Sequence, residues 1–358
     1  MLMAQNGRGL RLAALALLAL ATVACNVQTV EAPTATVKAH LESTPAADLR
    51  THLDLLLAEH VMIVAKETEA AVYHADEYAA YTALLGANAT DLATQFGRAY
   101  GASAAPQFAR SWNAQNSYLV DYAIGVVTHN ADKANAATAS LTGTFATQFG
   151  QMIEGSTGMP ANGIRELAYQ QVLLDKAFID DVVAQNYSTF YVELDKAYMH
   201  SSQLGDALAR HAAGQFPDKF AGDLSARVVE SRVSFNLLTQ EHSYLATMAT
   251  SAAIAKRDAE KTAAVGALAA SATRLGKIWS SWDAAVVSSA TGADLQGHSL
   301  VDSMSLATGA SPTDVQHLID TTGKVIGDQK AKNARSVADD DRAAATAMQP
   351  IADALVQG

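Results

Sequence analysis

Two histidines at matching places in the chain are the residues best suited to chemistry. His60 stands in the series Leu53, Leu56, His60, Ile63, and His242 in Phe235, Leu238, His242, Leu245. Steps of three and four residues put each histidine on an apolar helical face. An imidazole held there is a metal ligand if other donors reach it, and copper, zinc and iron all accept imidazole nitrogen. The first stripe runs on through Glu67 to His74 in seven-residue steps. Seven residues of helix span about 10.5 Å, too far for one ion to join such neighbours, so other helices must supply the remaining donors. The candidates are His200 and Asp121 beside His60, and His317 and Asp302 beside His242. Ala347 stands opposite His200, which makes the second set the poorer one. The alternative is that both histidines are core residues satisfied by hydrogen bonds, with no metal.

Signatures of catalysis are missing. The sequence holds no His-Glu-x-x-His, no Gly-x-Ser-x-Gly and no phosphate-binding loop. The Glu-x-x-His of di-iron bundles is also absent, its nearest form being Asp314-x-x-His317. The expected role is therefore binding rather than catalysis, and a structural or interaction module of the cell envelope without a small ligand is the alternative.

The elements that must position these side chains are helices. Alanine abounds, while proline and aromatic residues are scarce, a composition that favours helix and close helix packing. Leu49, Leu53, Leu56, Ile63 and Ala70 fall on one face from about residue 47. Asp76, Asn162 after Pro160, and Ser311 before Pro312 with Asp314 three residues on read as helix starts. No alternating strand pattern is present, and the short loops imply antiparallel packing.

The chain also repeats itself. Leu56-Leu57-Ala58-Glu59-His60 matches Leu238-Thr239-Gln240-Glu241-His242 at an offset of 182, as do Ala70-Ala71 with Ala252-Ala253 and Asp76 with Asp258. Gln115 and Leu119-Val120-Asp121 match Gln296 and Leu300-Val301-Asp302 at 181, and Asp206-Ala207-Leu208 matches Asp353-Ala354-Leu355. The second copy is shorter, as though a helix around residues 131 to 155 were missing. The expected fold is all-α: two tandem homologous antiparallel helical bundles of the four-helix, ferritin-like up-down type, over 47–222 and 223–358.

Residues 1–24 have the layout of a secretory signal peptide: Arg8 and Arg11, the apolar run Leu12 to Ala21, then Thr22-Val23-Ala24 before Cys25. That run is too short to span a membrane, which takes roughly 20 residues. Cys25 is the only cysteine, so it has no disulfide partner in the chain. The segment resembles the lipobox of bacterial lipoproteins, with Thr22 where leucine is usual. The resemblance implies cleavage before Cys25 and acyl chains such as palmitate on it, giving a stable anchor on the extracytoplasmic side of the cell membrane or outer membrane. Residues 25–46, with Pro33 and Pro45, read as a tether. Without Arg8 and Arg11, 23 basic residues face 36 acidic ones, a net charge of −13. Such a body is unsuited to nucleic acid or to anionic lipid, which leaves the lipid on Cys25 as the membrane contact and envelope proteins as the remaining class of partner.

The body resembles a group of uncharacterised exported, alanine-rich helical proteins of high-GC bacteria. The resemblance rests on Leu56 to His60, Asn88, Asp91-Leu92-Ala93, Phe96-Gly97, Tyr100-Gly101, Leu119 to Tyr122, Ala197 to His200 and Asp206 to Ala209. It implies fold and export. It also implies histidine at the positions of Gln115 and Gln171 in other members, where this chain has glutamine.

Overall fold

The computed structural model describes residues 43–357 except 74, 277, 294, 296 and 297. Cys25, the leader before it and most of the tether lie outside the described residues, as do His74 and Gln296. The described residues are all-α, as the composition and periodicity imply, and belong to one compact unit.

The first half is built from α1 (Pro45–Val72), α2 (Tyr78–Tyr100), α3 (Ala105–Val127), α4 (Ala131–Ala139), a π-helical segment Ser140–Phe145, α5 (Ala146–Thr157), α6 (Ala161–Val183) and α7 (Tyr187–Gln215). The second half holds α8 (Arg227–Ile254), α9 (Asp258–Leu275), α10 (Ile278–Ala290), α11 (His298–Thr308), α12 (Pro312–Ala331), α13 (Ala334–Thr346) and α14 (Gln349–Gln357). In the second half α11 follows α10 where the first has the longer stretch from Ala131 to Thr157.

Local signals explain several helix starts. Thr44 Oγ1 accepts from the Ala47 N–H at 3.2 Å, and Pro45 follows at the first helical position, where a missing N–H costs nothing. The helix thus begins two residues before the periodicity does. Ser311 Oγ accepts from the Asp314 N–H at 3.1 Å, the cap its spacing announced. Asp76 and Asn162 do not cap: α2 starts after Glu77 and α6 after Pro160, neither of which caps with its side chain, and the Ala161 N–H of α6 donates to Glu154 Oε1 at 3.4 Å. Gly101 (φ +107°) ends α2 and Gly276 (φ +109°) ends α9, backbone angles that glycine alone takes without strain.

At the centre lie α1 and α8, parallel and side by side. The first packs on α2, α3, α6 and α7, the second on α9, α10, α12, α13 and α14. Both are buried around most of their circumference, polar side chains included. Buried polar groups need partners, and several of these are exchanged between the halves. Arg50 bonds Asp206 and reaches Glu230 at 2.8 Å, while Arg232 bonds Asp353 at 3.0 Å and reaches Asp48 at 2.6 Å. Arg232 and Glu230 stand 182 residues beyond Arg50 and Asp48, the offset of the sequence repeat. Each half's arginine therefore holds its own half's aspartate and the other half's acid. In the same reciprocal manner α2 packs on α13 and α7 on α9.

Candidate functional site

His60 of α1 is fully buried, and its Nε2 lies 2.8 Å from Asn116 Oδ1 on α3. The Asn116 amide nitrogen donates to the Leu85 carbonyl at 3.4 Å, so its oxygen is the acceptor and His60 Nε2 carries the hydrogen. Nδ1 is then the bare nitrogen. Burial pushes the imidazole down to about 4, so it is neutral at pH 7. The Trp112 ring meets it edge-on, with centroids 5.1 Å apart.

His200 of α7 repeats the arrangement on the other side. Its Nδ1 lies 2.9 Å from Gln171 Oε1 on α6. Gln171 donates through its amide nitrogen to Asp175 Oδ1 at 2.8 Å and to the Ala197 carbonyl at 3.2 Å, so its oxygen accepts from Nδ1. Nε2 of His200 is left bare, and burial lowers this imidazole too. Asp175 is fully buried with no partner for Oδ2, and burial pushes it up to about 7.

Both histidines line one cavity between α1, α3, α6 and α7, together with Trp112, Gln115, Phe145, Phe149 and Gln171. Gln115 Oε1 is buried there without a hydrogen-bond partner. The four positions singled out in the sequence, His60, Gln115, Gln171 and His200, are thus neighbours around one space. The π-helical segment shifts the helical phase just before Phe145, and Phe145 and Phe149 cover the cavity.

Asp121 is not part of it. It stands nine residues after Trp112 on α3, half a turn away in azimuth, where it is partly exposed and pairs with Lys133 at 2.5 Å. Among the described residues no three His, Cys, Asp or Glu side chains are grouped to hold a metal ion.

His242 of α8 has a different environment. Its Nε2 lies 2.7 Å from Asp283 Oδ1 and its Nδ1 3.1 Å from Ser271 Oγ, so both ring nitrogens are engaged. Trp279 meets it edge-on at 5.1 Å and Trp282 lies 5.4 Å away. Trp112-x-x-x-Asn116 and Trp279-x-x-x-Asp283 surround their histidines alike, at an offset of 167 rather than 181, because α9 is five residues shorter than α2, the connection after it is shorter, and Trp279 is the second residue of α10 whereas Trp112 is the eighth of α3. In this register Trp282 stands at the place of Gln115. His317 and Asp302 are exposed while His242 is fully buried, so the structure does not bring these three together. Asn116, Asp283 and Ser271 escaped the sequence reading; the shared Trp-x-x-x-Asn/Asp spacing was the available signal for the first two.

No protein-family model, no curated protein and no solved structure matches this chain.

Proposed function

We propose that the protein is an exported lipoprotein, anchored through lipid on Cys25, whose body is a non-enzymatic binding protein with its seat at His60 and His200. One observation carries the binding role: the two histidines line one cavity, each with one ring nitrogen held by an amide oxygen and the other bare. A ligating histidine characteristically donates its second N–H to such an oxygen, which fixes the ring and raises the basicity of the free nitrogen. The ligand is a transition-metal ion. Zinc takes four donors, commonly with thiolate or carboxylate among them. Two neutral imidazoles without a nearby carboxylate suit monovalent copper best, since that ion is content with two donors, and Gln115 Oε1 offers a third.

The sequence of positive start, apolar run and small residues before Cys25 supports the anchor, and no described helix is long and apolar enough to cross a membrane. The reciprocal ion pairs at the repeat offset support a duplicated body of two homologous bundles. The second half reads as scaffold, because Asp283 and Ser271 leave His242 no free nitrogen and Trp282 packs against its ring.

Anaerobic titration of monovalent copper into the protein against a competing chelator tests the seat. The expected result is one ion per chain, lost in His200→Ala and in His60→Leu and kept in Trp279→Phe. Equal binding in all four proteins, or none in any, refutes the metal reading. In the second case the histidines are core residues and the protein is an envelope interaction module, a role that the fully bonded His242 already illustrates.

A further inference from the structure

A second cavity lies between the C-terminal ends of α1 and α8, and its wall is charged. It has room of about 70 Å³ and is lined by Lys66, Glu69, Tyr73, Glu77, Tyr81, Ser251 and Arg257, among others. Lys66 Nζ donates to Asp341 Oδ2 at 2.5 Å and to Thr247 Oγ1 at 2.9 Å. Arg257 makes a two-pronged pair with Glu260 at 2.8 and 2.9 Å. The Tyr81 hydroxyl donates to Asp341, and the Tyr73 hydroxyl to Glu260 at 2.5 Å.

Glu69 stands beside these pairs without one of its own. It is 7% exposed, and its Oε1 has no hydrogen-bond partner. Two cationic side chains thus face four carboxyl groups, Glu69, Glu77, Glu260 and Asp341, and each cation is already bonded to a carboxylate other than Glu69. A buried charge without a partner is costly. Burial, reinforced by Glu260, accordingly pushes Glu69 up to about 8, so that it keeps its proton at pH 7. With both cations already paired, an ionised Glu69 leaves the cavity short of positive charge.

We propose that this cavity binds a small protonated amine, whose ammonium group pairs with the Glu69 carboxylate. Binding is an exchange: the Glu69 O–H bond breaks, its proton leaves to solvent, and the ammonium, keeping its own protons, becomes the carboxylate's partner. Ser251 Oγ on α8 offers a second acceptor in the wall. The other groups around Glu69 are Lys66 and Tyr73 on α1, Glu77 just before α2, Tyr81 on α2, Tyr191 on α7, Arg257 and Glu260 at the start of α9, and Asp341 on α13. The arginine and lysine are ion-paired, and the tyrosines are held protonated well above neutrality, so Glu69 is the group left to give up a proton. This site is independent of the histidine cavity.

Calorimetric titration of the full chain with ethylammonium chloride at pH 7, in phosphate and again in HEPES, tests the inference. The expected result is saturable binding with release of about one proton per ligand, read from the difference in heat between the buffers. Affinity should rise severalfold between pH 6.5 and 8. Glu69→Gln, an uncharged near-isostere of the protonated acid, should fold with unchanged circular dichroism and abolish the heat. Binding without proton release in the unaltered protein, binding retained in Glu69→Gln, equal binding of potassium, or no binding would each overturn it.

Discussion

Replacing Asp175 by asparagine should flatten part of the pH dependence of stability. Asp175 is fully buried, accepts one hydrogen bond from Gln171 at 2.8 Å, and has no partner for Oδ2. Its carboxyl is pushed by burial from 3.8 up to about 7. The folded state therefore holds this proton more tightly than the unfolded state. Stability from this group is fully present below pH 4, falls as the pH rises, and is lost by about pH 7. A shift of about three units corresponds to about 4 kcal/mol. Asparagine keeps the oxygen that accepts from Gln171 and replaces the protonated oxygen by an amide, so the His200–Gln171 bond survives. Glu67, Glu69 and Glu241 are raised by burial with the same sign, so the wild-type curve alone assigns nothing to Asp175. The difference between the two proteins does. Urea unfolding of both chains at pH 4.5 and pH 8 should show the variant gaining about 2–4 kcal/mol on the wild type between those values. Parallel pH profiles would refute the reasoning and place Asp175 in contact with water or an unseen cation.

His60 carries the opposite sign. Its folded value of about 4 lies below the 6.5 of the free side chain, so its stability contribution is present above pH 6.5 and lost as the pH falls toward 4, by about 3 kcal/mol. Urea unfolding of His60→Leu across that range should lack this loss; an unchanged acid limb counts against a neutral buried imidazole. Among the reciprocal ion pairs, Arg50→Met should destabilise by about 3–5 kcal/mol, because the guanidinium is 4% exposed and its loss strands Asp206 and the Leu224 carbonyl. Arg232→Met, at 13% exposure, should cost about half as much by the same measurement. Equal costs would argue that the two halves are held in a more symmetrical way than the burial indicates.

What the sequence made legible follows the range of the interactions. Helices and the Ser311 cap depend on neighbours within a turn, and the all-α class follows from them; the Thr44 cap was hidden in what read as tether. The stripe through His60 was legible as one face, yet α1 is buried nearly all round, because the second half supplies a wall that a single-helix pattern does not reveal. Polar residues such as Glu59 and Lys66 read as solvent-facing from their types. They are buried, Glu59 against Arg342 at 2.9 and 3.0 Å and Lys66 against Asp341, partners more than 270 residues away. His200 was found as a type, and its partner Gln171 as a departure from the resembled group. Asp121 was misplaced because it lies half a turn in azimuth from Trp112 on α3, and Asp302 because an offset of 181 was carried through a region where the two halves differ in length.

That difference also sets apart the surroundings of the two histidines at matching places in the repeat. His60 and His242 both start from a buried imidazole against a tryptophan edge. In the second half Asp283 and Ser271 use both ring nitrogens, and Trp282 fills the space. In the first half Asn116 uses only one nitrogen, and Gln115 is too small to fill the place of an indole. The gap stays open beneath Phe145 and Phe149, which belong to the stretch that is longer in this half than its counterpart in the other. An amide oxygen opposite an imidazole N–H holds the ring without charging it, whereas a carboxylate there favours the protonated ring. The asparagine therefore leaves His60 with a lone pair to offer. Under the proposed duplication and binding role, one half is a seat and the other a plug through Trp282 and Asp283 on α10 and Ser271 on α9, with the reciprocal arginines kept in both.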